Sequence, residues 1–93
     1  MEKGFNSDIR IHGEMYHIQT EDWGIDAAVI VTRIFRNGAV IKSFRTSYSL
    51  QIIQSPAIEK RSRIREALRG QHRKILDLLQ SGQMLYEKTK LNM

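Results

Sequence analysis

The chain has 93 residues, 41% of them hydrophobic, a formal net charge of +5 and no cysteine. This length supports one hydrophobic core, so we predict a single domain over residues 1–93. The lack of cysteine excludes a disulfide framework, a thiolate metal site and a thiol nucleophile. No window approaches the roughly 20 apolar residues of a membrane span and no signal peptide is recognisable, so we expect a cytoplasmic protein.

The first predicted hairpin lies in NSDIRIHGEMYHIQT. Strands over about 7–12 and 15–20 alternate in polarity, and Gly13-Glu14 lies between them. Glycine at the first central position of a two-residue loop is typical of a type II′ turn. We therefore predict a hairpin closed by Gly13 and Glu14.

The second predicted hairpin is the clearest local pattern, in AVIVTRIFRNGAVIKSFRTSY. β-branched residues flank Asn37-Gly38, a pair that suits the positive φ angles of a type I′ turn. Strands over about 27–36 and 39–48 follow, and the two hairpins make a four-stranded antiparallel meander over 7–48. The first of these strands is apolar on both sides, so one face would meet a helix and the other a partner or solvent.

The segment EDWGID, between the hairpins, places Trp23 among three carboxylates, those of Glu21, Asp22 and Asp26. Oxygen ligands near a turn could hold a divalent cation, but the spacing matches no EF-hand loop. We favour Trp23 folded over the sheet edge, with the acids facing water or the basic segment, and we predict no metal.

The last third of the chain predicts one long amphipathic helix over 56–90. Ser55 would be its N-cap and Pro56 its first residue. A heptad seam follows alternating steps of four and three through Ile64, Leu68, Gln71, Ile75, Leu78, Gly82 and Leu85. It predicts homodimerisation through its apolar members, Ile64, Leu68, Ile75, Leu78 and Leu85. Two helices joined near Gly70 are the alternative, but the seam keeps its phase across Gly70 and Gly82, which favours continuity.

Residues 57–74 carry seven basic and only two acidic side chains, whereas residues 1–26 carry two and six. Within the basic segment, Arg61, Arg65, Arg69 and Arg73 form an i, i+4 row on the helix side opposite the seam. The planar guanidinium suits bidentate binding of carboxylate or phosphate. Three interpretations stay open: a solvated or internally paired face, a docking surface for an acidic protein, and a nucleic-acid contact.

No catalytic constellation is recognisable in the sequence. His12 and His17 lie on one hairpin without a carboxylate obviously placed beside them, and His72 is the remaining histidine. Ser43, Ser47 and Ser49 lack the Gly-x-Ser-x-Gly frame of a nucleophile elbow, and the glycines form no phosphate-cradling loop. We expect a non-enzymatic protein without a cofactor.

The stretch YHIQTEDWG followed by IVTRIFRNGAVIKSFRTSY resembles a family of small bacterial proteins with a Tyr-His-aliphatic-Gln-Thr-Glu segment before an Asn-Gly hairpin that ends in Ser/Thr-x-Tyr. The resemblance covers about residues 8–48. It implies a regulatory or accessory protein, associated with motility and cell-polarity systems built around Ras-like GTPases. The helix lies outside it.

Together these patterns predict an α+β domain that acts as a small protein-binding adaptor or regulator. The expected contacts with an acidic protein partner come from the arginine row, with further candidates on the sheet: Arg61, Arg65, Arg69, Arg73, Trp23 and His17. A nucleic-acid-binding protein that uses the same basic helix is the alternative.

Overall fold

The structure is a computed structural model and describes residues 1–82. Four strands are followed by a short and a long helix: β1 Phe5–Ile11, β2 Glu14–Asp22, β3 Val29–Arg36, β4 Ala39–Ser47, α1 Leu50–Ile53 and α2 Ala57–Gln80. The strands form one antiparallel sheet in the order β1-β2-β3-β4. The predicted α+β meander followed by a helix is confirmed.

Both hairpins close through two residues with positive φ. At the second turn these are Asn37 (φ 54°) and Gly38 (φ 78°), as predicted. At the first turn they are His12 (φ 50°) and Gly13 (φ 80°), since Ile11 pairs with Glu14. The predicted type II′ loop at Gly13-Glu14 is therefore wrong by one residue. Histidine is among the few side chains that tolerate the left-handed region, so His12-Gly13 works as Asn-Gly does.

One side of the sheet faces α2, and the opposite side is called the outer face below. Alternate residues of each strand point to the helix, and α2 packs chiefly across β2. Two apolar clusters result, one towards the hairpin turns, around Ile18 and Leu79, and one towards α1, around Ile30 and Leu68. Between them α2 contributes one polar side chain to the interior, His72.

Helix α2 is unbroken from Ala57 to Gln80, so the prediction of continuity across Gly70 is confirmed. Its predicted end near residue 90 is wrong: Ser81 is the C-cap, and Gly82 has the positive φ of a helix-terminating glycine. At 1.5 Å per residue the helix is about 36 Å long rather than about 50 Å.

The start of α2 also differs from the prediction. Pro56 occupies the N-cap position, and the hydroxyl of Ser55 donates instead to the carbonyl of Gln51 at 2.6 Å. A helical turn that the sequence reading missed, α1, precedes it and is capped by Ser49, whose Oγ accepts from the Ile52 amide at 3.2 Å. The Ser-Pro pair thus joins two helices instead of capping the second.

Residues of the predicted dimer seam pack against the sheet of the same chain. Ile64, Leu68 and Ile75 are at most 4% exposed because the sheet covers them. These three side chains are therefore not available to a second copy, and the prediction that they mediate self-association is wrong. Leu78 is half-buried against the first cluster, and Leu85 lies outside the described residues. The buried row continues through His72 and Leu79 rather than Gln71 and Leu78, since a helix lying on a sheet follows steps of four more closely than a heptad.

Candidate functional site

The side of α2 that faces away from the sheet is strongly basic. The helix carries seven basic and three acidic side chains. The arginines of the predicted row are all exposed, at residues 61, 65, 69 and 73. The structure therefore brings the predicted row together on one face, but its two halves have different surroundings.

The first half of the row holds a carboxylate from the chain's own N-terminus. Arg61 Nε donates to Oε2 of Glu2 at 3.0 Å, and Arg65 Nη2 donates to Oε1 of the same side chain at 3.2 Å. The Glu2 side chain is only 7% exposed. The hydrogen bond from Arg61, supported by Arg65, keeps the pKa of this carboxyl below its ordinary value despite the opposing effect of burial. Two arginines four residues apart thus form a carboxylate cradle.

Glu2 is held there by its backbone as well. Its amide donates to Oδ2 of Asp22 at 2.8 Å, and Asp22 is itself buried at the end of β2. This anchoring brings the first residues of the chain against the start of α2. The sequence offered no local pattern for this contact, because the partners are about sixty positions apart.

The second half of the row has no such partner within residues 1–82. No carboxylate of the described chain lies in salt-bridge contact with Arg69 or Arg73. The Cζ atom of Arg69 lies 6.0 Å from the centre of the Phe5 ring, at the upper limit of a cation–π contact. Two guanidiniums are therefore open on this part of the helix.

A cavity of about 350 Å³ lies beside these two arginines. Phe5 and Leu76, both half-buried, provide apolar surface, and Asp77 adds one carboxylate to the lining. The imidazole of His72 lies 5.9 Å from the Phe5 ring, between centroids, and also lines the cavity. The site therefore combines an apolar surface with two open cations.

Trp23 lies on the outer face, away from α2. The guanidinium carbons of Arg33 and Arg45 lie 5.4 and 4.8 Å from the centre of its ring, and its Nε1 donates to Glu21 at 3.2 Å. Val31, which also points to the outer face, is only 3% exposed. On the predicted apolar outer side of β3, Val31 is thus covered by side chains of the same chain, whereas Val29 and Phe35 are half-buried.

His17 is also on the outer face, six residues earlier along β2. Its Nδ1 lies 2.8 Å from Oδ1 of Asp8, and its ring centre is 5.8 Å from that of Phe35. At about 3.3 Å per strand residue, His17 and Trp23 are on the order of 20 Å apart. The predicted partner-binding residues therefore form three separate places, with the arginine row on the opposite side of the sheet from the other two.

Asp22 is buried, whereas the sequence predicted a carboxylate that faces water or the basic segment. It is 5% exposed and accepts hydrogen bonds from the Tyr48 hydroxyl and from the amides of Glu2 and Gly24. Burial alone would raise the pKa of this carboxyl, but the three hydrogen bonds outweigh it and lower the pKa. Within residues 1–82, no group of three or more histidines and carboxylates is placed to hold a metal ion.

His72 joins a buried chain of hydrogen bonds that the sequence did not reveal. Its Nε2 lies 2.8 Å from Ser7 Oγ, and its Nδ1 lies 2.7 Å from Thr20 Oγ1. Thr20 in turn lies 2.8 Å from the hydroxyl of Thr32, which accepts from Gln71 Nε2 at 2.9 Å. Desolvation, and secondarily repulsion from His17, lowers the pKa of His72.

A serine hydroxyl beside a histidine raises the question of nucleophilic catalysis. The Gln71 amide nitrogen can only donate, so the Thr32 hydroxyl accepts from it. Because every other hydroxyl of the network can both donate and accept, either neutral tautomer of His72 satisfies the contacts with Thr20 and Ser7. The group that orients the imidazole at Nδ1 is the Thr20 hydroxyl, whereas a nucleophile triad has a carboxylate there. The network therefore satisfies buried polar groups between helix and sheet.

Comparisons of the chain with family models, with curated proteins and with solved structures found no match. Among residues 1–82, no helix combines the length and the hydrophobicity that a bilayer crossing requires.

Proposed function

We propose that this protein is a small non-enzymatic adaptor or regulator that binds an acidic protein partner on the basic face of α2. The observation that carries the proposal is the cradle around Glu2, in which Arg61 and Arg65 already bind a carboxylate. The same i, i+4 spacing recurs at Arg69 and Arg73, where no carboxylate of residues 1–82 is in contact. A surface that holds one internal carboxylate in this way suits the carboxylates of another protein.

Charge and shape favour a protein over a nucleic acid as the partner. The four arginines follow one unbroken helix, and Glu2, Glu66 and Asp77 lie on or beside the same face. Such interspersed carboxylates would repel a continuous phosphate backbone, whereas acidic side chains of a protein can be placed between them. The association with Ras-like GTPase systems, implied by the resemblance, stays a prediction.

Self-association stays a prediction as well, although not through the buried seam. Large apolar side chains are exposed elsewhere, in the loop before β3, in α1 and in the first turn of α2: Ile25, Leu50, Ile53 and Ile58. Light scattering at several protein concentrations measures whether copies associate.

The proposal is tested by capture of partners from native lysate on the wild type and on Arg69→Gln/Arg73→Gln. The matched control is Arg10→Gln/Arg36→Gln, which removes the same charge from the sheet and its hairpin turn. The proposal expects a protein that the wild type and the control retain and the α2 variant loses, in nuclease-treated lysate. Equal capture by all three, or capture that nuclease abolishes, would contradict it.

A further inference from the structure

We infer that the partner segment recognised by α2 carries an aliphatic or aromatic side chain next to its carboxylates, and that this side chain enters the cavity between Phe5 and Leu76. The inference rests on the proposed function and specifies its ligand. It follows from the combination, at one place, of two open guanidiniums and an apolar lining.

Arg61 and Arg65 show that two arginines one helical turn apart contact both oxygens of one carboxylate. Arg69 and Arg73 have the same spacing about 12 Å further along the axis, at 1.5 Å per residue. Their guanidiniums border the cavity, so a carboxylate bound by them lies beside its opening.

The volume of the cavity, about 350 Å³, is at the lower end of the range for small-molecule sites, roughly 300–1,000 Å³. Phe5 and Leu76 offer apolar surface that water solvates poorly, so an apolar side chain of the partner gains burial there. Exposed ion pairs alone contribute little affinity, so a specific partner needs such an anchor.

Asp77 lines the same cavity with the opposite charge. A carboxylate of the partner is attracted towards Arg69 and Arg73 and repelled from Asp77. In the partner segment, a carboxylate therefore lies on the side of the apolar side chain that faces Arg69 and Arg73. This preference sets the direction in which the segment crosses the helix.

The test uses fluorescence anisotropy with a labelled seven-residue peptide that has four glutamates around one phenylalanine and a glycine at each end. A second peptide has serine in place of phenylalanine, and a DNA duplex serves as the third probe. We expect the phenylalanine peptide to bind the full-length protein more tightly than the serine peptide. Arg73→Gln should weaken its binding about fivefold, as loss of one partly exposed ion pair does.

Asp77→Asn provides a test that unfolding cannot mimic, since we expect it to tighten binding of the phenylalanine peptide. Asp26→Asn, the same change in an exposed loop, is the control and should have little effect. Equal binding of both peptides through Arg69 and Arg73 would overturn the inference and leave the proposed function standing. Binding of neither peptide, or of the duplex alone, would overturn both.

Discussion

Nδ1 of His72 lies 2.7 Å from Oγ1 of Thr20, and this contact joins the middle of α2 to the middle of β2. Both residues are buried: the exposed fraction is 0% for Thr20 and 6% for His72. They form a polar layer between the two apolar clusters. Because a misplaced helix would leave these groups without hydrogen bonds, the layer fixes where α2 sits on the sheet.

Replacing His72 by alanine should therefore destabilise the fold. The change leaves the hydroxyls of Ser7 and Thr20 without their partner and opens a cavity, and we expect the free energy of unfolding to fall by about 2–4 kcal/mol. Urea denaturation at pH 7.5 measures this. Arg73→Ala, on the exposed side of the same helix, controls for helix propensity; a similar small effect of both changes would contradict the assignment.

Stability should also depend on pH through His72. Its pKa is lowered in the folded state, mainly by desolvation, so the folded protein binds a proton less readily than the unfolded chain. The contribution of His72 to the free energy of unfolding should be fully present above the ordinary histidine pKa of 6.5 and should decrease as the pH falls below it. The groups that face the His72 ring from the sheet are Ser7, Thr20 and Phe5. The charged groups near it on α2 are Arg69, Arg73 and Asp77, and His17 on β2 disfavours its protonation.

The check is urea denaturation of the wild type and His72→Gln between pH 5.5 and 7.5. The wild type should lose stability towards the acid end, whereas the variant should lose less. His17→Gln should retain most of the dependence. The carboxyls of Glu2 and Asp22, whose pKa values are also lowered, lose their contribution only below their ordinary values of 4.5 and 3.8, outside this range. An equal slope in wild type and His72→Gln would refute the prediction.

Tyr48→Phe should destabilise the junction of β4 with β2. The change removes the hydroxyl that donates to the buried Asp22 carboxylate, which keeps its hydrogen bonds from the Glu2 and Gly24 amides. Loss of a hydrogen bond to a charged group costs about 1.5–3 kcal/mol. Thermal unfolding at pH 7 measures the loss. Tyr16→Phe is the matched control, because Tyr16 is packed in the core and its hydroxyl has no hydrogen-bond partner among residues 1–82; equal shifts for both changes would contradict the role given to Tyr48.

Glu2→Gln should increase the affinity of the basic face for an acidic peptide. The change removes the internal carboxylate that now occupies Arg61 and Arg65 and exposes the full row to a ligand. Anisotropy with the glutamate-phenylalanine peptide measures the affinity. Glu14→Gln, which removes a carboxylate 3.7 Å from Arg36 at the hairpin end, is the control. Unchanged or weaker binding by Glu2→Gln would show that the cradle does not compete with ligand.

The elements of the fold were predictable because their signals are local. β-branched residues around Asn37-Gly38 mark the second hairpin, and the apolar stripe from Ile64 to Leu79 marks α2. The end of α2 was predicted wrongly because Gly82 was counted as a member of the seam rather than as a C-terminal stop. A glycine next to the last buried residues is the stronger signal.

The candidate site was predictable only in part. The arginine row follows from spacing along one helix, and the structure confirms that its members share one face. Its division into an occupied and an open half depends on Glu2 and Phe5, which approach from the other end of the chain. His72 was not recognised as a core residue because a polar side chain within an apolar stripe gives no sign of its buried partners. Contacts between Ser7, Thr20 and His72 are set by tertiary packing, which periodicity does not report.

The central claim is that the guanidiniums of α2 bind carboxylates of another protein. The most direct measurement is an NMR titration of the ¹⁵N-labelled protein with the glutamate-phenylalanine peptide, observed at the arginine Nε–H resonances. We predict saturable shifts at Arg69 and Arg73, with Arg10 and Arg36 unchanged. Shifts confined to Arg33 and Arg45 on the outer face, or no shift at any arginine, would contradict the account.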